Sequence, residues 1–400
     1  MKSDIVTGLD IGTHSIKALA LQKRQNTWEV LSYAEVPSFG LRKGAVVNVE
    51  EASKNVQMIV SGVEKECGKK IKSAFVNIGG SHLYITPSDG IISVSRADQR
   101  ISKEDVDRVL QATKAINIPH NEEVLDVFPK EYVIDDQKGI KQPEGLEGIR
   151  LEAKVLLLCY FQPYFTNLTQ AVLNTKLQIN DVIPSPLAAA NAVLTPQQKE
   201  LGVALIDMGS ATTSLVVFEE GELIHLAIFP IGSANITNDI AIGLRTEVAI
   251  AESIKKQHGT CIFAKSDSGK KIEVFDKSSA INFTKKNLVN IIEPRVSEIL
   301  YLIQKELKKI NKQEMLPAGV ILTGGGVRIP KIKELTRETL KLSCEIGVPR
   351  GIMGLQDDPA LATVAGLALE GVDFSEEPSI LGLTKGWGSG FKKWIKNFIP

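Results

Sequence analysis

Gly8-Leu9-Asp10-Ile11-Gly12-Thr13, near the start of the chain, and Asp207-Met208-Gly209-Ser210-Ala211-Thr212-Thr213, just past its middle, are two copies of one device. In each, an apolar strand runs into an aspartate, turns at a glycine and leaves along a second strand. The returning strands are Ser15 to Leu21 and Thr212 to Phe218. Such a unit is a hairpin. Its glycine lets backbone N–H groups approach an anion with no Cβ in the way, and Thr13, Ser210, Thr212 and Thr213 add hydroxyls. Asp10 and Asp207, at the strand ends, can hold Mg²⁺ through its waters. One such turn is a common structural hairpin. Two, one per half, predict two lobes on a common plan, facing across a cleft and clamping phosphates from opposite sides.

Further candidates lie outward from these turns. Thr323-Gly324-Gly325-Gly326 follows the strand Gly319–Leu322 and lets backbone pass close to an α-phosphate or adenosine. Glu252 and Lys255 stand at i, i+3 on a helix expected over Asn238–Gln257, so they share a face. They can reach ribose and adenine, or form a plain surface pair. His14, Lys17 and Gly232 complete the candidate nucleotide set. There is no G-x-x-x-x-G-K-[ST] run and no G-x-G-x-x-G after a strand, which excludes a P-loop and a Rossmann dinucleotide site.

Between the hairpins the pattern changes. A helix over Glu51–Cys67 ends at Gly68, and the buried strand Ala74–Ile78 closes on Gly79-Gly80. Then come a strand at Ile91–Val94, a helix capped by Ser102 and running to Ala115, a strand at Val124–Ile134, a loop over Asp135–Gly148 and a strand at Leu151–Cys159. Strand, helix, strand, strand makes a small α+β subdomain. Helices are expected over Asn167–Thr175 and Leu187–Leu194, the latter broken by Thr195-Pro196-Gln197-Gln198, then over Asn287–Ile310 and Pro359–Leu369. The expected division is a lobe 1 core at 1–83, completed by 166–198 and 355–378, with the insert at 84–165. Lobe 2 has a core at 199–238, completed by 306–354, and a distal part at 239–305. A glycine-rich linker, 379–390, leads to a tail at 391–400.

The chain has 400 residues and zero formal net charge, so it has no global electrostatic reason to coat nucleic acid. Cys67, Cys159, Cys261 and Cys344 are far apart and form no CxxC pair, which fits small buried hydrophobes in a reducing compartment. Asp4 interrupts the start where a signal peptide needs an apolar run, and no apolar stretch approaches the roughly 20 residues of a membrane span. The expected location is the cytoplasmic side.

In the tail, Phe391, Trp394, Ile395, Phe398 and Ile399 recur at i, i+3, i+4, i+7 and i+8, opposite Lys392, Lys393 and Lys396. A basic amphipathic helix with aromatic residues opposite lysines has the pattern of an interfacial membrane anchor for anionic lipid. At about 1.5 Å per residue it makes roughly 15 Å of helix, half a span.

The order of these parts resembles the superfamily of actin, sugar kinases and heat-shock chaperone ATPases. Within it the chain resembles the FtsA family of bacterial cell-division proteins. Glu131-Tyr132-Val133-Ile134-Asp135, Thr237 through Thr246, Glu293-Pro294-Arg295, Leu316-Pro317-Ala318-Gly319-Val320 and Pro349-Arg350-Gly351 carry the resemblance. It implies an α/β, actin-like fold of two ribonuclease H-like halves with an inserted α+β subdomain and a C-terminal amphipathic helix. It also implies ATP with Mg²⁺, self-association into filaments, and binding of the FtsZ C-terminal tail by the distal part of lobe 2, with Arg295 a candidate contact. Later division proteins would be recruited through the insert, at the division site on the inner face of the membrane. The chain departs from the family where phosphate chemistry is done. The usual Gly-Gly-Gly-Thr-Thr-Asp of the second loop is Gly209-Ser210-Ala211-Thr212-Thr213-Ser214, the acid before Pro-Leu-Ala is Ser185, and His14 replaces a hydroxyl residue. Positioning and electrostatics do most of the work in phosphoryl transfer, so slow or absent hydrolysis is expected. The alternatives are a PilM-like pilus-assembly scaffold of the same fold and a small-molecule kinase, which would need a further catalytic aspartate beyond Asp10 and Asp207.

Overall fold

The computed structural model describes residues 5–24, 27–264, 271–276 and 279–375. Two five-stranded sheets share one topology. In lobe 1 the order is Gln178–Pro184, Ser73–Ile78, Ile5–Ile11, Ser15–Arg24, Thr27–Pro37. In lobe 2 it is Cys344–Ile346, Val320–Thr323, Val203–Met208, Thr213–Glu219, Glu222–Phe229. In each, the hairpin's first strand pairs antiparallel with its return and parallel with the neighbour on its other side. The central strands read as near-continuous apolar runs because both their faces are covered, and Ile16, Leu19 and Leu21 are fully buried.

The two hairpin turns close with the same bond. Gly12 N–H donates to Ser15 O at 3.1 Å, and Gly209 N–H donates to Thr212 O at 2.9 Å. A Cβ at Gly12 would lie 2.9 Å from Ser15 O, which is why the turn takes glycine. The register places Asp10 opposite Lys17 and Asp207 opposite Ser214.

Between the lobes, the helix Ser185–Val193 meets the helix Ala362–Ser375 backbone to backbone at Ala188 and Gly366. The second helix also lies on Gly8 of the first strand, where a Cβ would meet Val364 O at 2.7 Å. The helix Val49–Cys67 covers lobe 1, with Asn48 accepting from Glu51 N–H and Gly68 ending it at φ 67°.

The insert is an antiparallel sheet ordered Tyr84–Ser93, Arg150–Phe161, Glu122–Ile134, Gln137–Ile140, with the helix Lys103–Ala112 on one face. Ser102 caps that helix reciprocally with Asp105. Alternation along Arg150–Phe161 divides its side chains: Val155 and Leu157 pack under the insert's own helix, and Leu156 and Leu158 join the core of lobe 1. Lys141 ties the insert to lobe 2, 2.8 Å from Glu222 and 3.3 Å from Glu220.

The strand expected at Ile91–Val94 runs Tyr84–Ser93 and the helix expected over Pro359–Leu369 runs Ala362–Ser375, and three further expected elements differ in kind. The loop over 135–148 contains the strand Gln137–Ile140, reached through Asp135 and Asp136 at φ 47° and 86°, residues whose side chains tolerate the left-handed region. Thr195-Pro196-Gln197-Gln198 does not merely break a helix. Thr195 caps a new one, Pro196–Leu201, with Gln198 reaching back to it. The single helix over Asn238–Gln257 is two, Ser233–Leu244 and Val248–His258, because Arg245 turns left-handed at φ 53° and its N–H closes on Ala241. All four cysteines are unpaired, and Cys159, Cys261 and Cys344 are buried. The linker 379–390 and the tail 391–400, with Phe391, Lys392, Lys393, Trp394, Ile395, Lys396, Phe398 and Ile399, lie outside the described residues. Among the described residues no helix is long and apolar enough to cross a membrane.

Candidate functional site

A cavity of about 890 Å³ opens between the lobes. Lobe 1 brings Asp10, Gly12, Thr13, His14 and Lys17 to its wall, and lobe 2 brings Asp207, Gly209, Ser210 and Thr212. Glu252, Lys255 and Gly324-Gly325-Gly326 line it as well. Most of the residues singled out in the sequence thus converge on one space, drawn from segments far apart in the chain.

Two do not line it. Thr213 is fully buried and donates to Ile231 O at 2.8 Å, so its hydroxyl supports the loop from behind. Side chains alternate along a strand, so if Thr212 faces the cavity, Thr213 faces the core. Gly232 also stands behind the second loop. A Cβ there would lie 2.5 Å from Ser210 O, and the next two N–H groups, of Ser233 and Ala234, donate to Gly209 O and Ser210 O at 2.9 and 2.8 Å. Gly232 lets the helix Ser233–Leu244 seat directly on the turn.

Thr13 Oγ1 accepts from Gly44 N–H at 2.8 Å, which leaves its own proton free for the cavity. Lys255, nearly buried, spends its ammonium on Glu252 and Thr237, both at 2.7 Å, and on Ser233 O at 3.1 Å. The Glu252–Lys255 pair therefore pins the helix Val248–His258 to the helix Ser233–Leu244 at the edge of the cavity. Arg295, which does not line the cavity, is bidentate to Asp239, at 2.6 and 3.0 Å, and also bonds Glu298.

The electrostatics centre on Asp10 and Asp207. Burial pushes the Asp10 carboxyl above its ordinary range, against the pull of Lys17 at 3.6 Å. Burial, then the charge of Asp10, pushes Asp207 up to about 6, against Lys17 and a hydrogen bond from Thr363. Two carboxylates thus share one lysine at the cavity wall. That charge deficit fits a divalent cation bound through waters. The backbone turns and hydroxyls around it fit phosphate oxygens.

Asn77 and Ser185 also line the cavity. Asn77 was visible in sequence only as a polar residue inside an apolar strand, a signal that sequence reading left unused. Ser185 was visible as the residue before Pro186-Leu187-Ala188.

Comparison with known proteins places this cleft in a family. Residues 204–366 match the family model for cell division protein FtsA, and residues 80–159 match that for the SHS2 domain inserted in FtsA. Over 374 residues the chain is 35% identical to the cell division protein FtsA of Pseudomonas aeruginosa, an alignment covering 92% of this chain and 89% of that one. The chain belongs to the FtsA family. FtsA of Bacillus subtilis is 33% identical, with 91% of this chain and 83% of that one covered. FtsA of Escherichia coli K12 is 31% identical, with 91% and 89% covered. Among solved structures, a PilM-PilN type IV pilus biogenesis complex superposes with a TM-score of 0.67 at 17% identity, covering 93% of this chain and 99% of that one. MreB5 of Spiroplasma citri bound to ADP superposes with a TM-score of 0.58 at 13% identity, covering 94% and 98%. At those identities the likeness is one of fold, and it makes the two-lobed architecture actin-like. Membership of the FtsA family gives the chain a role in cell division.

Proposed function

We propose that the chain is an ATP-binding, polymerising adaptor that tethers FtsZ filaments to the inner face of the cytoplasmic membrane at the division site. The observation that supports this most is the pair of matched turns presenting Asp10 and Asp207 to one cavity, in a chain of the FtsA family. The turns at Gly12 and Gly209 and the Gly324-Gly325-Gly326 loop cradle the phosphates through backbone N–H groups. Thr13 and Ser210 donate hydroxyls, and Asp10 and Asp207 hold the waters of Mg²⁺. The bound cation supplies positive charge that offsets both carboxylates and the phosphates. The PilM-like reading is disfavoured by sequence: identity to that structure is 17%, against 35% to an FtsA.

Hydrolysis is slow in this proposal. Ser185 Oγ donates to Ile78 O at 3.1 Å and accepts from Asn77 at 3.0 Å, so it is a poor base for an attacking water. Phosphate release should run well below the ~1 s⁻¹ floor of ordinary enzymes. Brisk turnover would remove this part of the reading, and nucleotide exchange without turnover supports it.

The tail at 391–400 is the anchor. Three lysines near anionic lipid and the apolar side chains opposite them attract the tail, and the entropy lost on ordering it offsets most of that gain. One tail therefore binds reversibly, and a filament of many tails binds firmly through effective concentration. The distal part of lobe 2, near Arg295, takes the FtsZ tail, and the insert takes later division proteins. Sedimentation with anionic vesicles tests the anchor. Wild type should pellet more with ATP than without, and Trp394→Glu should stay in the supernatant. A variant that still pellets would place the anchor elsewhere.

A further inference from the structure

Asn77 makes three hydrogen bonds, to three segments that meet at the cavity. Its Oδ1 accepts from Ile11 N–H at 2.6 Å. Its Nδ2 donates to Asp10 Oδ1 at 2.9 Å and to Ser185 Oγ at 3.0 Å. The residue is only 4% exposed, in a strand whose neighbours Val76 and Ile78 are core. An amide buried there costs free energy unless it is bonded, and this one uses both of its N–H groups.

The bond to Asp10 has a directional effect. Asn77 holds Oδ1, and Lys17 stands 3.6 Å from Oδ2. A carboxylate gripped at both oxygens keeps one orientation, and the lone pairs left over face the cavity that Asp10 lines. The same Nδ2 occupies a lone pair of Ser185 Oγ, whose proton is already on Ile78 O. One amide thus orders the cation-facing acid and the first residue of the helix Ser185–Val193.

We propose that Asn77 is a positioning residue for Mg²⁺-dependent nucleotide binding: it holds the Asp10 carboxylate in the orientation that receives the hydrated cation. This rests on the reading of the cleft as a nucleotide site. It concerns the cation half of that site, and the difference in affinity with and without the cation separates it from a merely structural role. Partners that orient a metal-ligating group are worth about 10–100-fold in metal affinity.

The test measures ATP affinity twice for each protein, in excess Mg²⁺ and in EDTA, together with thermal unfolding. Wild type should bind more tightly with Mg²⁺. Asn77→Ala should lose about 10–100-fold of that enhancement, over and above any change it makes to the affinity in EDTA. Should that variant not fold, Asn77→Ser, which keeps a small polar group beside the Ile11 N–H, carries the same expectation. A folded variant with a lower unfolding temperature and an unchanged Mg²⁺ enhancement would overturn the inference and leave the nucleotide reading standing. Wild type that binds no ATP in either condition would overturn both.

Discussion

Gly366→Ala is expected to cost about 3 kcal/mol or more, the upper end of what overpacking a core does. The reason is the identity of the obstacle. A Cβ at Gly366 would stand 1.7 Å from Ala188 O and 2.4 Å from Ala188 C. A side chain in the way can change rotamer. A helix backbone in the way must move as a body, and the helix Ser185–Val193 is held at its start by Asn77. The opposite side of the helix Ala362–Ser375 is no freer, because it rests on Gly8. Against a typical domain stability of about 5–15 kcal/mol, such a loss is large. The control is Gly62→Ala, in the helix Val49–Cys67, where a Cβ would meet nothing within 4 Å. It should be neutral or add up to about 1 kcal/mol through helix propensity. Urea unfolding of the two variants decides the matter, and equal midpoints would mean that the two helices stand apart.

The response to Mg²⁺ should also be lost in acid. Asp207 has its carboxyl pushed up to about 6, from an ordinary value of 3.8. Its folded pKa is raised, so its contribution to the stability of the free protein is present at low pH and is lost as pH rises through about 6. A cation binds the ionised form and pulls the other way. At pH 7 the carboxylate is mostly ionised and ready. At pH 5 a proton must leave first, which weakens the cation's contribution about tenfold. Nucleotide phosphates titrate near this range too, so the comparison is with Asp207→Asn. Wild type should lose its Mg²⁺-induced rise in unfolding temperature between pH 7 and 5 more steeply than the variant. Parallel curves would detach Asp207 from the cation.

The parts of the site legible in sequence were those made by local chemistry. An aspartate, a glycine and a hydroxyl within a few residues define a turn wherever the chain places it, and both turns formed as expected. Asn77 and Ser185 come together through the parallel pairing of Ser73–Ile78 with Gln178–Pro184, across 108 positions, and no local pattern announces that. The break at Arg245 was equally hidden, because a left-handed turn is usually marked by glycine and this one is not. Thr213 lies behind the loop and not on the cavity wall for a simpler reason. In a strand one position separates cavity from core, and adjacent threonines look alike on paper.

The helix Ala362–Ser375 has a consequence for biosynthesis. It is the last described element, and it lies on the first strand, Ile5–Ile11. A ribosome adding roughly 5–20 residues per second makes the strand and then, tens of seconds later, its lid. Lobe 2 and the insert can close in the meantime. The apolar face of Ile5–Ile11 must wait, open to wrong partners, until nearly the whole chain has emerged.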